Sequence, residues 1–337
     1  MPFPPGKLPL DILDRLLSSH TTHQDARVVV GARVGEDAAV IDFGDRYLIA
    51  KTDPITFATN EIGHYAIHVN ANDIATMGAV PRWFLATLLL PETNTDEALI
   101  ETIFASLHKA AQEIGVAICG GHTEITVGLD RPIIVGQMLG EVAKENLIQS
   151  ANLKPNDYIL LTKGLGIEAT AIIANEKKEA LKTAGIPSHM IEKAVNYLHN
   201  PGISILKEAQ IACQTAPIKA MHDPTEGGVA TALREMAQAA DVGLSIDSET
   251  LFISPETQQL CDLFKLDPLG VISSGALLMG VSEPDAQAVC QAIQQAGIPC
   301  AIIGQAKEKS FGLKMTHDNT VTNLPIFDRD EIGKIFA

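Results

Sequence analysis

The chain has 337 residues, with 25 lysines and arginines against 41 aspartates and glutamates, a formal net charge of −16. Such acidity excludes nucleic acid and anionic membrane surfaces as partners, and no Lys/Arg-rich run interrupts it. A hydrophobic share of 46% describes an ordinary globular chain whose length predicts two domains. The segment Met1-Pro-Phe-Pro-Pro-Gly6-Lys7 has no basic-then-apolar leader pattern. The apolar run over 83–90 falls short of the ~18 residues of a membrane span. Five scattered cysteines without a C-x-x-C pair read as reduced thiols, small core residues, and predict a cytoplasmic protein.

In chain order, Gly35-Glu36-Asp37-Ala38-Ala39 leads into two β-like runs over 38–42 and 46–51, parted by a Gly44-Asp45 turn. Thr52-Asp53 follows, so Asp37 and Asp53 read as acids at turns or element ends. Ile62, Ala66, Val69, Ile74 and Met77 recur at helical spacing and predict a helix over 61–77, ended by Gly78. Asn70, Asn72 and Asp73 lie in its last turns. His64 and His68 stand four apart on it; without an H-E-x-x-H frame, a solvated or interfacial face is favoured over a zinc pair.

A second helix is predicted over 96–114, capped by Thr95 and stopped at Gly115. A short buried strand over 116–119 then runs into a Gly120-Gly121 turn followed by His122-Thr123-Glu124. Paired glycines let backbone approach a phosphate, and His122 or Glu124 could ligate metal or move protons; a plain surface turn fits equally well. A strand over 131–141 completes this half.

The polar, turn-rich stretch over 150–157 divides the chain into domains 1–150 and 151–337. Beyond it come a strand over 158–162, helices over 166–175, 188–199 and 204–213, and a strand over 218–221. Thr162-Lys163-Gly164-Leu165-Gly166 lacks the full frame of a phosphate loop. Asp223-Pro224-Thr225-Glu226-Gly227-Gly228 reads as the cap of a helix over 228–240, whose glycines present N–H groups to an anion. Cap and ligand roles for Asp223 are compatible. A strand over 276–281, a helix over 285–295 and a strand over 300–303 follow; without a strict βαβ repeat the class is α+β.

Asp37, Asp53 and Asp73 sit among small, partly apolar residues, where isolated acids are costly to bury without a cation. They read as ligands for Mg²⁺, the natural bridge between carboxylates and a phosphate. Lys7, on the Pro/Gly-rich arm, either folds over those phosphates or belongs to a disordered end.

The ordered set Gly-x-Asp-Ala-Ala at 35–39, Thr52-Asp53, Asn72-Asp73, Met77-Gly78-Ala79-x-Pro81, Gly120-Gly121, Asp223-Pro224-Thr225-x-Gly227-Gly228 and Ser274-Gly275 resembles the aminoimidazole ribonucleotide (AIR) synthetase superfamily. That superfamily includes thiamine-monophosphate kinase, selenophosphate synthetase and the HypE-like hydrogenase maturation branch, which this chain resembles most through Asp-Pro-Thr-x-Gly-Gly. The resemblance implies an N-terminal α+β domain that forms a dimeric β-barrel with a second copy, and a C-terminal α/β sandwich. It implies ATP and Mg²⁺ as cofactors, Mg²⁺ being held by Asp37, Asp53, Asp73 and Asp223. Asn70, Asn72, Gly120, Gly121, Thr123, Gly227 and Gly228 would bind the nucleotide. Asp37, His122 and Asp223 would be catalytic.

The implied activity is ATP-dependent phosphoryl transfer or dehydration on an unidentified small-molecule or protein-borne acceptor. Alternatives are a nucleotide-binding partner without catalysis, or a thiamine-monophosphate kinase-like enzyme. Three departures matter. His122 stands where the hydrogenase-maturation branch has Asp, the chain ends Lys334-Ile335-Phe336-Ala337 instead of in a reactive cysteine, and the first cysteine is Cys119. They point away from cyanide formation and selenophosphate synthesis.

Overall fold

In the computed structural model, residues 8, 10–21, 25–33, 35–56 and 61–336 are described. They divide into two compact units: Asp37–Leu147 with Gln24–Gly31, and Ile148–Ala337 with Ala32–Glu36 and the N-terminal segment. That segment carries α1 (Leu10–His20), a helix with no sequence-level expectation behind it. Lys7 lies outside the described residues.

The first unit contains β1 (Val28–Val30), β2 (Ala39–Asp42), β3 (Arg46–Ile55), α2 (Ile62–Thr76), β4 (Val80–Pro91), α3 (Glu97–Glu113), β5 (Ala117–Thr126) and β6 (Ile133–Ala143). Its sheet runs β1-β2-β3-β6-β4-β5. All pairs are antiparallel except β4 and β5, which α3 joins as a parallel crossover. A single chain therefore holds an open six-stranded sheet, not a closed barrel.

β4 is the main addition to the predicted elements. Its apolar run hides the alternation that normally marks a strand: Phe84, Ala86, Leu88 and Leu90 are buried, whereas Leu85, Thr87 and Leu89 are only half-buried. α2 lies between that sheet and α3, and every one of its residues is buried. His64 and His68 are thus interior; of the expected solvated or interfacial face, the solvated alternative is corrected. The cap of α3 is Asp96, whose carboxylate accepts from the Leu99 N–H, while Thr95 donates back to the Pro91 carbonyl.

The predicted Gly120-Gly121 turn is instead the middle of β5. Gly121 pairs with Ala86, and a Cβ there would lie 2.0 Å from the Ala86 carbonyl oxygen. The glycine permits close strand pairing rather than a reversal. β5 is the outer strand of its sheet and is exposed from Ala117 to Ile125. Cys119, expected in the core, is exposed on it, and all five cysteines are free thiols.

The second unit continues with β7 (Tyr158–Thr162), α4 (Ile167–Glu176), α5 (Lys178–Thr183), α6 (Ser188–Val195), α7 (Leu206–Thr215), β8 (Ile218–His222) and α8 (Gly228–Ala240). It is completed by β9 (Gly243–Asp247), α9 (Pro255–Phe264), β10 (Leu278–Val281), α10 (Glu283–Gln295), β11 (Cys300–Lys307), β12 (Leu313–His317) and β13 (Thr320–Asn323). Its mixed sheet runs β13-β12-β9-β11-β7-β10-β8. Val229, Leu233 and Met236 of α8 pack on Ile159, Leu161, Leu244 and Ile303 to form the core. α10 packs against β7 and β11.

Candidate nucleotide and metal site

Asp53 lies inside β3, not at a turn. Its backbone N–H donates to Asn70 Oδ1 at 2.9 Å, and Asn70 Nδ2 donates to the Ala66 carbonyl at 2.9 Å. One buried amide therefore pins α2 to β3, and Asp73 follows one helical turn later. Lys51, two residues before Asp53 and so on the same strand face, places Nζ 3.1 Å from Asp73 Oδ1 and 3.4 Å from Asp53 Oδ2. Two carboxylates from different elements thus meet around one ammonium. Lys51 was not singled out in the sequence; its period-two spacing from Asp53 was the available signal.

Asp37 is half-buried at a bend before β2. The antiparallel register Ala39↔Ala50 carries β2 backwards as β3 runs forward, so Asp37 lies at the Asp53 end of the sheet. Asn72 is fully buried within α2.

Gly121 and His122 part company across the sheet. Asp53, Gly136, Ala86 and Gly121 form one cross-strand row, which separates Asp53 from Gly121 by roughly 14 Å at three strand spacings. His122 pairs with Thr87, so its side chain faces away from the Asp53 side. It is exposed, with Nε2 3.4 Å from Glu124 Oε2. Within this unit the structure brings Asp53, Asp73 and Asn70 together; Gly121 and Thr123 share their face at a distance, and His122 and Gly120 do not.

In the second unit, Asp223 follows β8 directly but does not cap α8. The helix begins at Gly228, after Gly227 at φ +81, and Gly228 at φ +65 packs so closely that a Cβ would meet the Leu269 carbonyl at 2.4 Å. Glycine alone fits both positions. Nor are their N–H groups offered to an anion. Gly228 donates to Thr225, and Gly227 donates at 2.7 Å to Asp330 Oδ2. Asp330 Oδ1 also accepts from Ile332 and Ile272 at 2.8 and 3.2 Å, so an internal carboxylate occupies the expected anion position.

Two acids carry no expectation from the sequence, the buried Glu168 and the part-buried Asp330. Burial pushes Glu168, in the first turn of α4, up to about 7; Asp330, Glu226 and Asp223 add to the rise, and the nearby Ser274 hydroxyl opposes it. Burial likewise pushes Asp330 up to about 6 against its three backbone donors. An acid inside the apolar stretch Ile-Glu-Ala-Thr-Ala-Ile-Ile-Ala was the signal for Glu168; Asp330, in a polar tail, gave none. Behind Asp223, His222 Nε2 meets Glu235 Oε2 at 2.9 Å and ties β8 to α8. Lys163 is spoken for by Glu208 at 2.8 Å and by the Ser204 carbonyl, a structural ion pair rather than a phosphate contact.

Carboxylates dominate both groups, and oxygen donors suit a hard divalent cation such as Mg²⁺. The two-unit α+β scaffold is that of an AIR synthetase-like protein. The chain matches the descriptions "AIR synthase related protein, N-terminal domain" over residues 35–142 and "AIR synthase related protein, C-terminal domain" over 154–315, and it belongs to that family.

Among its relatives, a Methanocaldococcus jannaschii protein provisionally named for hydrogenase expression and formation is 29% identical, covering 96% of this chain and 95% of its own. The carbamoyl dehydratase HypE of Rhizobium leguminosarum bv. viciae is 30% identical over 81% of this chain and 77% of its own. A crystal structure of the hydrogenase maturation protein HypE in complex with ATP shares the fold. It has a TM-score of 0.71 and 22% identity, with 94% and 95% of the two chains covered. Among the described residues, no helix is long and apolar enough to cross a membrane.

Proposed function

We propose that this chain is a Mg²⁺- and ATP-dependent enzyme of the HypE-like branch that transfers a phosphoryl group to an acceptor oxygen. The observation that carries the reading is the meeting of Asp53 and Asp73 around Lys51, fixed by the buried Asn70 amide. In this reading Asp53, Asp73 and Asp37 hold Mg²⁺, and Asp223 heads a further acidic group assigned to metal. When bound, Mg²⁺ neutralises phosphate oxygens and draws charge from the leaving group. Lys51 moves from its carboxylates to a phosphate oxygen, a point charge on a flexible stem suited to that exchange. Asn70 keeps the two acids in register so that positioning and charge neutralisation do most of the work.

A homodimer belongs to the same proposal. β5 is a long, exposed outer strand bearing Ile118 and Ile125, the latter 57% exposed, and such an edge is a template for pairing with another chain. Relatives with HypE names and the ATP complex of one of them support nucleotide use.

The test is ADP release with candidate acceptors, comparing wild type with Asp53→Asn and Asp73→Asn. A loss of about 100-fold or more in kcat in both variants is expected, on the scale of a lost electrostatic stabiliser; unchanged turnover in both would discard these roles. A second reading, a nucleotide-binding partner without turnover, is favoured by His122, which stands where the hydrogenase-maturation branch has Asp and lies exposed on the sheet face turned away from Asp53. Tight Mg²⁺–ATP binding with no ADP formed in any cell extract would select it.

A further inference from the structure

The interior of the first unit holds a further cluster of ligand-type side chains, in which histidines outnumber carboxylates, unlike the carboxylate-dominated groups above. His64 and His68 stand on successive turns of α2, and their ring centroids lie 4.2 Å apart. Glu113, the last residue of α3, reaches them from the neighbouring helix, with Oε2 4.0 Å from His68 Nε2. One donor atom from each of the three lies within 4.8 Å of the others. Around a tetrahedral ion with bonds of ~2.0 Å, neighbouring donors are roughly 3.3 Å apart, so a closure of up to about 1.5 Å converts the group into a coordination shell.

Three features favour an ion over three unrelated polar side chains. A His pair at i and i+4 presents two imidazoles from one helix face, and a carboxylate from a second element completes a three-ligand set. His68 is 4% exposed, whereas Glu113 is half-exposed, so the cluster opens toward solvent at the carboxylate, the side from which a fourth ligand would come. Two buried imidazoles in ring contact beside one carboxylate also form an interior polar patch that a shared cation would organise. The mixed nitrogen and oxygen donors select a borderline transition ion over Mg²⁺.

We propose that His64, His68 and Glu113 bind one Zn²⁺-type ion that clasps α2 to the C-terminal end of α3. The clasp lies within two residues of Asn70, on the helix that delivers Asp73, and fixes that helix in its register. This site is independent of the nucleotide reading and stands or falls without it.

The test uses the untagged full-length chain, freed of metal with a chelator and kept in excess Mg²⁺ to saturate the oxygen sites. Equilibrium dialysis with Zn²⁺ is expected to show one ion per chain, and Co²⁺ to give the visible d–d bands of a four-coordinate ion. His64→Gln and His68→Gln should each weaken Zn²⁺ binding by about 100-fold or more, and Glu113→Gln by about 10-fold, with Asp53→Asn unchanged. Zn²⁺ should raise the Tm of wild type, and of Glu113→Gln less. Because Glu113 sits at a half-exposed helix end, its variant keeps the test valid if the buried substitutions fail to fold. Absence of a saturable Zn²⁺ site, an affinity untouched by Glu113→Gln, or loss of the site in Asp53→Asn would overturn the proposal.

Discussion

At Lys51 one ammonium serves two carboxylates that would otherwise repel each other across a partly buried site. If its role is to yield to a cation and then hold a phosphate, Lys51→Met has opposite effects on two ligands. Mg²⁺ alone should bind more tightly, and ATP more weakly by about tenfold, the size of one charge-assisted contact; calorimetry with each ligand separates them. Weakening of both, or of neither, would rule out the exchange.

Glu168 gives a pH dependence. Its folded-state value of about 7, raised from 4.5 by burial, means that the native protein keeps a proton the unfolded chain has already released. Its favourable contribution is therefore complete below about pH 4.5 and is lost as pH rises through about 7, a decline of about 3 kcal/mol. Asp330 acts in the same direction between its ordinary 3.8 and about 6. Glu168→Gln should remove its own part of the slope, so urea denaturation should find the variant more stable than wild type near pH 8 and similar near pH 4.5. An unchanged slope would mean that Glu168 titrates normally.

Among the elements, α2 does the most and was the best foreshadowed. Its apolar spacing predicts 61–77, and the helix runs Ile62–Thr76. That spacing could not reveal that the opposite face is buried too, because His64, His68, Asn70, Asn72 and Asp73 look like a solvent face until a sheet and α3 enclose them. Asn70→Ala removes hydrogen bonds to Asp53 and Ala66 from the interior. It should cost about 1–3 kcal/mol in unfolding free energy and lower ATP turnover through misplacement of Asp73. A variant with full stability and activity would show that the amide does not position the site.

β4 and β5 mark where local reading fails. Continuous apolarity conceals the strand period in the first. In the second, a glycine pair reads as a turn although Gly121 serves the close approach to Ala86. The loop after β8 fails for another reason. α8 starts at the expected Gly228, yet its cap is Gly227 and not Asp223, and the Gly227 N–H is taken by Asp330, more than a hundred residues later in sequence. Long-range partners of this kind leave no periodic trace.

For the whole molecule, the order of acidic and glycine motifs along the chain made the family legible, and matches over 35–142 and 154–315 establish it. The acceptor of the proposed transfer has no motif in the sequence, as expected of a specificity set by residues without fixed spacing. The proposed dimer is open to direct measurement: if it forms through the exposed edge strand, light scattering should find wild type dimeric and Ile125→Lys monomeric without a lower Tm, whereas a monomeric wild type or an unchanged mass would contradict it.

The most direct measurement of the central claim is Mg²⁺–ATP binding by calorimetry in wild type, Asp53→Asn and Asp73→Asn. Each substitution, with far-UV circular dichroism unchanged, should weaken Mg²⁺-dependent ATP binding by about tenfold or more. Wild-type affinity in both variants would contradict the account.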